Sequence, residues 1–518
     1  MRLSPRQQQV AAHPGLDRRD FLVRAAVLAA TAGSVAGLAS CGASGSADPM
    51  AAPGSSLLAA PTSVPLGYDS ALPYWMQGGF APVGIETDAV DLAITGALPP
   101  SLTGLYVRNG SNPAGAPSPH WFLGDGMVHG VRLDRGRASW YRNRFLQTPL
   151  YTSGGDFMSG GPPGGAGNQS NVSVFQHGGR LLSSGEIGLP YELSPDDLRT
   201  IGVHDFDGAL TTAMTAHPKI DPATGKMHFF GYGFVPPYLT YHVAAADGTL
   251  EYSAEVDVAG PTMMHDFAIT ESDAIFWELP VVFDLATAIA AISPDAPTTG
   301  SGFPFQWDPS YGARIGIMPL DGPTSAIRWV EIDPCYVFHG VNAHRDGAKV
   351  VIEVCRMPSM FEVGGDPGPN ALHRWTIDTS GPELTFTDEV MSDAQLDLPA
   401  LDRRRTGRRH ENAWYLMVEP LDGFPVEFSG LSRRDTATGS LDTYAPGPGY
   451  RLNEGVFVAE GPGDGEGWLM TFAWDRARGA SDLVVLDALA LADGPVATVH
   501  LPARVPYGFH GTWVPAPV

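Results

Sequence analysis

From about residue 66 to the C-terminus the apolar positions fall in short runs, some continuous ("MHFFGYGFV", "KVVIEVC") and some alternating with polar residues. Turn-forming clusters separate them: "DPATGK" at 221–226, "AADGTL" at 245–250, "HRDGAK" at 344–349 and "RRDTATG" at 433–439. Alternation and short apolar runs bounded by Gly, Asp and Pro are the pattern of strands. Repeated over some 450 residues, the pattern predicts an all-β chain, either a sandwich array or a propeller. No strict repeat is visible, so periodicity does not choose between them. Two stretches read as insertions. One is the Gly-rich "SGGDFMSGGPPGGAGNQSN" at 153–171, the other the Ala-rich, helix-prone "FDLATAIAAI" at 283–292.

The N-terminus follows another pattern. Arg18 and Arg19 precede an apolar, Ala- and Gly-rich run that ends in Leu38-Ala39-Ser40-Cys41. A paired arginine ahead of a moderately apolar segment resembles a twin-arginine export signal, and Leu-Ala-Ser-Cys resembles a lipoprotein cleavage box. The expectation is a signal over 1–41 with lipid on Cys41, a linker over 42–65 and one domain over 66–518. The exported protein would then sit at a membrane surface, outside the cytoplasm. No later segment is long and apolar enough to span a bilayer.

Composition sharpens this picture in two places. Glycine (62) and proline (46) are abundant and charged residues make up 17% of the chain, which suits many turns around an apolar core. Without residues 1–40 the formal charge is −27. A body this acidic repels phosphate backbones, and no basic stripe with interleaved aromatics is present, so nucleic acid is excluded as a partner. Beyond Cys41 only Cys335 and Cys355 remain. One bridge between them is possible, but this is not a disulfide scaffold.

Of fifteen histidines, several lie beside turn residues or charges and read as exposed, among them His13, His344 and His410. Four lie at the ends of apolar, strand-like runs: His217 in "MTAHPKID", His265 in "TMMHDFAIT", His339 in "YVFHGVNAH" and His510 in "YGFHGTWVP". One such histidine is more often a core residue bonded to a carbonyl than a ligand. None has the close spacing of a helix-borne metal motif. The repetition of the arrangement on four separate strands is what suggests convergence on an axis.

These segments resemble the four histidine motifs of the carotenoid cleavage oxygenase family. "GLYVRNGSNP", "HWFLGDGMVHGVRL", "YRNRF" and "GRLLSSGEIGLPYEL" are similar to that family's N-terminal blades, in the family's order. The resemblance runs from about residue 70 to the C-terminus. It implies a seven-bladed β-propeller with Fe(II) on its axis, loop and helical insertions capping a substrate tunnel, and His217, His265, His339 and His510 as ligands. It also implies that the aromatic before each "HG" packs in its blade.

A buried imidazole ligand is normally held in one tautomer by an outer carboxylate. The family uses glutamates for this, and Glu186 and Glu454 match two of the positions. The third falls at Asp397, one methylene shorter, which leaves its contact in question. Leu123 replaces an acid usual in the family and is expected to have a local effect within its blade. His129 is expected to be structural.

The activity implied is cleavage of a C=C bond with O2 to give two carbonyl products, by a monomer. The substrate is a carotenoid or apocarotenoid, or else a stilbene. The stilbene-cleaving branch grips a phenol with a tyrosine and a lysine, and "LQTPLY" after "YRNRF" carries no lysine, which favours the polyene. Two other classes remain open: a non-enzymatic lipoprotein binding an apolar ligand, and a zinc hydrolase. Four converging imidazoles argue against both, since a binder does not need them and catalytic zinc prefers three protein ligands.

Overall fold

The computed structural model describes residue 69 and residues 72–516, apart from 116–117, 119, 155–164, 166, 286–287, 289–302, 363–367 and 422–423. The expected signal and linker, most of the Gly-rich insertion and most of the Ala-rich one lie outside the described residues. Of the Ala-rich stretch, Phe283 ends the strand Val281–Phe283, and Leu285 and Ala288 are helical.

The strands form seven antiparallel sheets set as the blades of a propeller, together with one two-stranded ribbon. In chain order the first blade is built on Gly104–Ser111, Gly126–Asp134 and Arg137–Phe145. The next five start from the inner strands Ser173–His177, Lys219–Ile220, Phe267–Ile269, Tyr336–Asp346 and Leu396–Leu401, and the seventh carries Val456–Ala459 innermost. The ring closes twice. The C-terminal strand Gly511–Pro515 pairs with Gly104–Ser111, and the early strand Ile94–Gly96 pairs with Pro495–His500. Both closures join the ends of the chain, so the circle depends on contacts of the greatest sequence separation.

Burial explains the sequence pattern strand by strand. Middle strands such as Met227–Tyr232 and Leu239–Ala244 are buried throughout, because neighbouring blades cover both faces. Such strands read as continuous apolar runs. Outer strands such as Leu250–Glu255 and Thr200–Val203 alternate, since one face meets water. No helix among the described residues is long and apolar enough to cross a membrane.

Candidate metal centre and substrate cavity

Each inner strand begins or kinks at the axis, and the residues placed there are the ones the sequence singled out. His217 and His265 come two residues before the inner strands of the third and fourth blades, and His510 immediately before that of the first. His339 lies inside Tyr336–Asp346, where pairing with the next strand shifts register between Val337 and Gly340. A bulge of this kind re-aims a side chain out of the sheet. The three remaining blades supply Glu186, Asp397 and Glu454, so every blade gives one residue to the axis.

One nitrogen from each of the four imidazoles lies within 4.8 Å of the others. His217 Nε2 is 2.9 Å from His265 Nε2. The carboxylates hold the opposite ring nitrogens. His339 Nδ1 is 2.7 Å from Asp397 Oδ1, and His510 Nδ1 is 2.7 Å from Glu454 Oε1. Glu454 also accepts from the Gly511 N–H at 2.8 Å. His265 Nδ1 is 3.1 Å from Glu186 Oε1 but is poorly aligned for a hydrogen bond. The other Glu186 oxygen accepts from the Tyr232 hydroxyl at 2.9 Å. Among the described residues, His217 has no carboxylate partner at its ring. Its backbone N–H donates to Thr215 Oγ1, whose hydroxyl donates to the His265 carbonyl.

This donor set fits a metal cation. With Nδ1–H given to a carboxylate at His339 and His510, Nε2 of each presents a lone pair inward. His339 Nε2 is buried with no hydrogen-bond partner, a cost of about 1–3 kcal/mol unless something binds it. Burial, and then the neighbouring rings of His510, His265 and His339, hold the His217 imidazole well below its ordinary pKa, which keeps it neutral and able to donate. Burial also lowers His339, against the opposing pull of Asp397. At His265 burial is outweighed by the Glu186 carboxylate, and its pKa rises.

Asp397 therefore reaches its histidine directly, despite the shorter side chain. Its strand shifts register between Asp397 and Ala400, and Leu398 takes φ +49°. With the backbone in this position the shorter side chain reaches its ring. The Leu398 N–H and the buried Cys355 thiol also meet Asp397. Sequence reasoning missed both Cys355 and Tyr232. Their signal was weak: a thiol and a phenol within strands that already looked fully apolar.

A cavity of about 710 Å³ opens onto His265, His339 and His510. Its wall is largely apolar, with the aromatics Trp121, Phe122, Phe303, Phe305, Phe338 and Phe509 among its members. The two aromatics before "HG", Phe338 and Phe509, line this cavity rather than simply filling their blades. Leu123 lines it too, at the end of the turn Trp121–Leu123. His120 caps that turn by accepting from the Phe122 N–H, and it stacks on Phe303 at 4.7 Å. Burial drives its pKa down to about 3, so it behaves as a neutral ring in an apolar wall. Part of the wall comes from the fourth-blade insertion, where Val281–Phe283 pairs with Phe305–Trp307.

The expectation that His410 and His344 are exposed needs correction. His410 is buried, with Nε2 3.4 Å from Glu353 and Nδ1 3.3 Å from Asn342, and His344 is half-buried. The adjacent Arg409 faces outward while the His410 ring turns in. Cys335 and Cys355 are both free. His129 is buried with Nδ1 3.0 Å from the Tyr141 hydroxyl, a contact within its own blade.

A propeller with four imidazoles gathered at its axis and an apolar cavity reaching them defines a class of metal-dependent oxygenase. The profile of the family described as retinal pigment epithelial membrane protein matches residues 80–515. A carotenoid cleavage oxygenase of Mycobacterium tuberculosis is 37% identical over 501 residues, covering 86% of this chain and 98% of the relative. A carotenoid 9,10(9',10')-cleavage dioxygenase 1 of Pisum sativum is 34% identical, covering 87% and 92%. Among solved structures, the lignostilbene dioxygenase of Pseudomonas brassicacearum superposes with a TM-score of 0.76 at 27% identity, over 86% of this chain and 99% of that one. The chain belongs to the carotenoid cleavage oxygenase family, whose members are non-haem iron oxygenases.

Proposed function

We propose that this protein is an iron(II) dioxygenase that cleaves a C=C bond of a carotenoid or apocarotenoid. The observation that carries this reading is the aromatic cavity ending on three of the four histidines. Bound to those four nitrogens, iron would supply the activation of dioxygen that the organic substrate lacks. The protein's own part is to hold the His339 and His510 imidazoles by their far nitrogens, to keep the His217 ring neutral by burial, and to exclude water from a site where a polyene must lie. Neutral donors leave the cation's charge uncancelled, unlike the two-histidine, one-carboxylate set of other iron oxygenases. A volume of about 710 Å³ falls within the usual range of ligand cavities.

The competing substrate is a stilbene, supported by the structural likeness to a lignostilbene dioxygenase. No lysine lines the cavity among the described residues. In "LQTPLY", Tyr151 stacks on Phe145 at 4.9 Å instead of lining the cavity. Both features favour the polyene. Oxygen uptake and product analysis with β-carotene, an apocarotenal and resveratrol, on anaerobically iron-loaded protein, test the choice. Turnover of resveratrol alone would reverse it.

The location proposed is the membrane surface after twin-arginine export, with lipid on Cys41 and iron loaded before export. The sequence Arg18-Arg19 and the Leu-Ala-Ser-Cys box support it. Assembly of the site from distant strands also suits a route that carries folded protein. Arg18→Lys with Arg19→Lys should trap active protein in the cytoplasm, and Cys41→Ala should release it from membranes. Export of the first variant, or retention of the second on membranes, would overturn the matching half.

A further inference from the structure

The residue after one of the four histidines is a carboxylate buried to 1% exposure, Asp266. It has no contact with an imidazole of the kind Glu454 and Asp397 make. Its bonds go instead to the chain beside three of them. Oδ1 accepts from the Phe267 N–H at 2.8 Å, on the strand that His265 precedes. Oδ2 accepts from the Gly340 N–H at 2.9 Å, the residue following His339. Oδ1 also lies 2.7 Å from Lys219 Nζ, two residues beyond His217. One carboxylate thus ties the inner strands of the third, fourth and fifth blades together within two residues of a histidine each.

The surroundings make this tie demanding. A buried carboxylate is tolerated only when its oxygens are bonded and its charge is matched, and here two backbone donors and one ammonium meet both needs. Gly340 packs closely on Trp277, since a Cβ there would stand 2.8 Å from that ring. Lys219 and Asp266 line a second, smaller cavity of about 210 Å³. His217, His339 and His510 also border it, away from the aromatic one. The His217 and His265 nitrogens lie 2.9 Å apart, so small displacements of either strand change the ligand geometry directly.

We infer that Asp266 is a positioning residue for the metal centre: with Lys219 it fixes the relative placement of His217, His265 and His339 by clamping their backbones. This rests on the reading that the four histidines hold the metal.

Ferrous-iron affinity, measured by competition with a chromogenic chelator, separates this role from ordinary stabilisation. Asp266→Leu should lower affinity by about tenfold or more, the loss typical when a metal ligand's support is removed. Asp266→Asn, which keeps one acceptor but loses the ion pair, should fall between Asp266→Leu and the parent, and Lys219→Met should show a smaller loss. EPR of the nitric-oxide-treated ferrous protein should show altered rhombicity in all three. Glu278→Gln is the control. Glu278 is equally buried and accepts from the Ala259 N–H, Tyr311 and Arg314, away from the centre. It should lower the melting temperature and leave iron affinity unchanged. Parent-like affinity and spectra in Asp266→Asn and Lys219→Met would overturn the inference, even if Asp266→Leu does not fold. His265→Ala distinguishes the two readings: if it keeps iron, the four-histidine site itself is wrong.

Discussion

Imidazoles bonded to carboxylates occur both at the axis of this propeller and on its rim, and the two places use the same bond differently. At the axis, His510 gives Nδ1 to Glu454 and turns Nε2 toward the other histidines. On the rim, His500 lies 2.8 Å from Asp482 through Nδ1 and also 2.8 Å from Thr95 through Nε2. His242 is likewise engaged at both nitrogens, by Ser253 and Thr212, and burial brings its pKa down to about 4. A carboxylate therefore does not mark a ligand. What separates His510 from His500 is the second nitrogen, gathered with the other imidazoles in the first and bonded to Thr95 in the second.

The sharpest way to break this comparison is to remove an axial ring. His510→Ala should abolish iron retention and oxygen uptake while circular dichroism stays that of a β-protein. Iron bound at parent stoichiometry would take His510 out of the site.

The next largest effect concerns the carboxylates. Asp397 and Glu454 both lie 2.7 Å from their rings, so Asp397→Asn and Glu454→Gln should each lower iron affinity by about 10–100-fold. Glu186 is poorly aligned on His265 and shared with Tyr232, and Glu186→Gln should cost less than either. Chelator competition on the three variants ranks them. A loss at Glu186 that exceeds the others would show that alignment is not what sets the contribution.

How far the sequence carries the fold and site can be seen at individual residues. The four axial histidines stand in long, distinctive segments. Their spacing says nothing of convergence, which only the closure of Gly511–Pro515 onto Gly104–Ser111 produces. Asp397 looked too short because side-chain length can be counted in a sequence, whereas the bulge that moves its backbone cannot. His410 looked exposed because its neighbours are arginines, yet a strand entrance can send adjacent side chains to opposite faces. Asp266 was hidden by its neighbour, since a charged residue beside a ligand reads as part of the same motif.

Glu353 offers a rim-side test through pH. Burial raises its pKa, but His410 and Arg374 outweigh this and bring it to about 2, below its ordinary 4.5. The unfolded chain therefore binds more protons between those values, and the stability this pair contributes is present above pH 4.5 and lost as pH falls toward 2. The shift corresponds to about 3 kcal/mol at most. Acid melting curves of the parent should fall more steeply through that window than those of Glu353→Gln, with iron affinity at neutral pH equal in both. Parallel curves would mean the pair is not ionised as drawn.

The smallest effect should come from His500, and it bears most directly on the comparison. Its ring bonds Asp482 as tightly as His510 bonds Glu454, so a role assigned by the carboxylate alone would make the two substitutions similar. The His500 side chain is 35% exposed and joins the outer strand Pro495–His500 to Ile94–Gly96, one of the two ring closures. Solvent competes for both of its bonds, so His500→Ala should cost no more than about 1 kcal/mol of stability. Iron stoichiometry and chelator competition should match the parent. A measurable loss of iron affinity in His500→Ala would show that the rim closure transmits to the axis, and that the two kinds of histidine are less separate than their second nitrogens indicate.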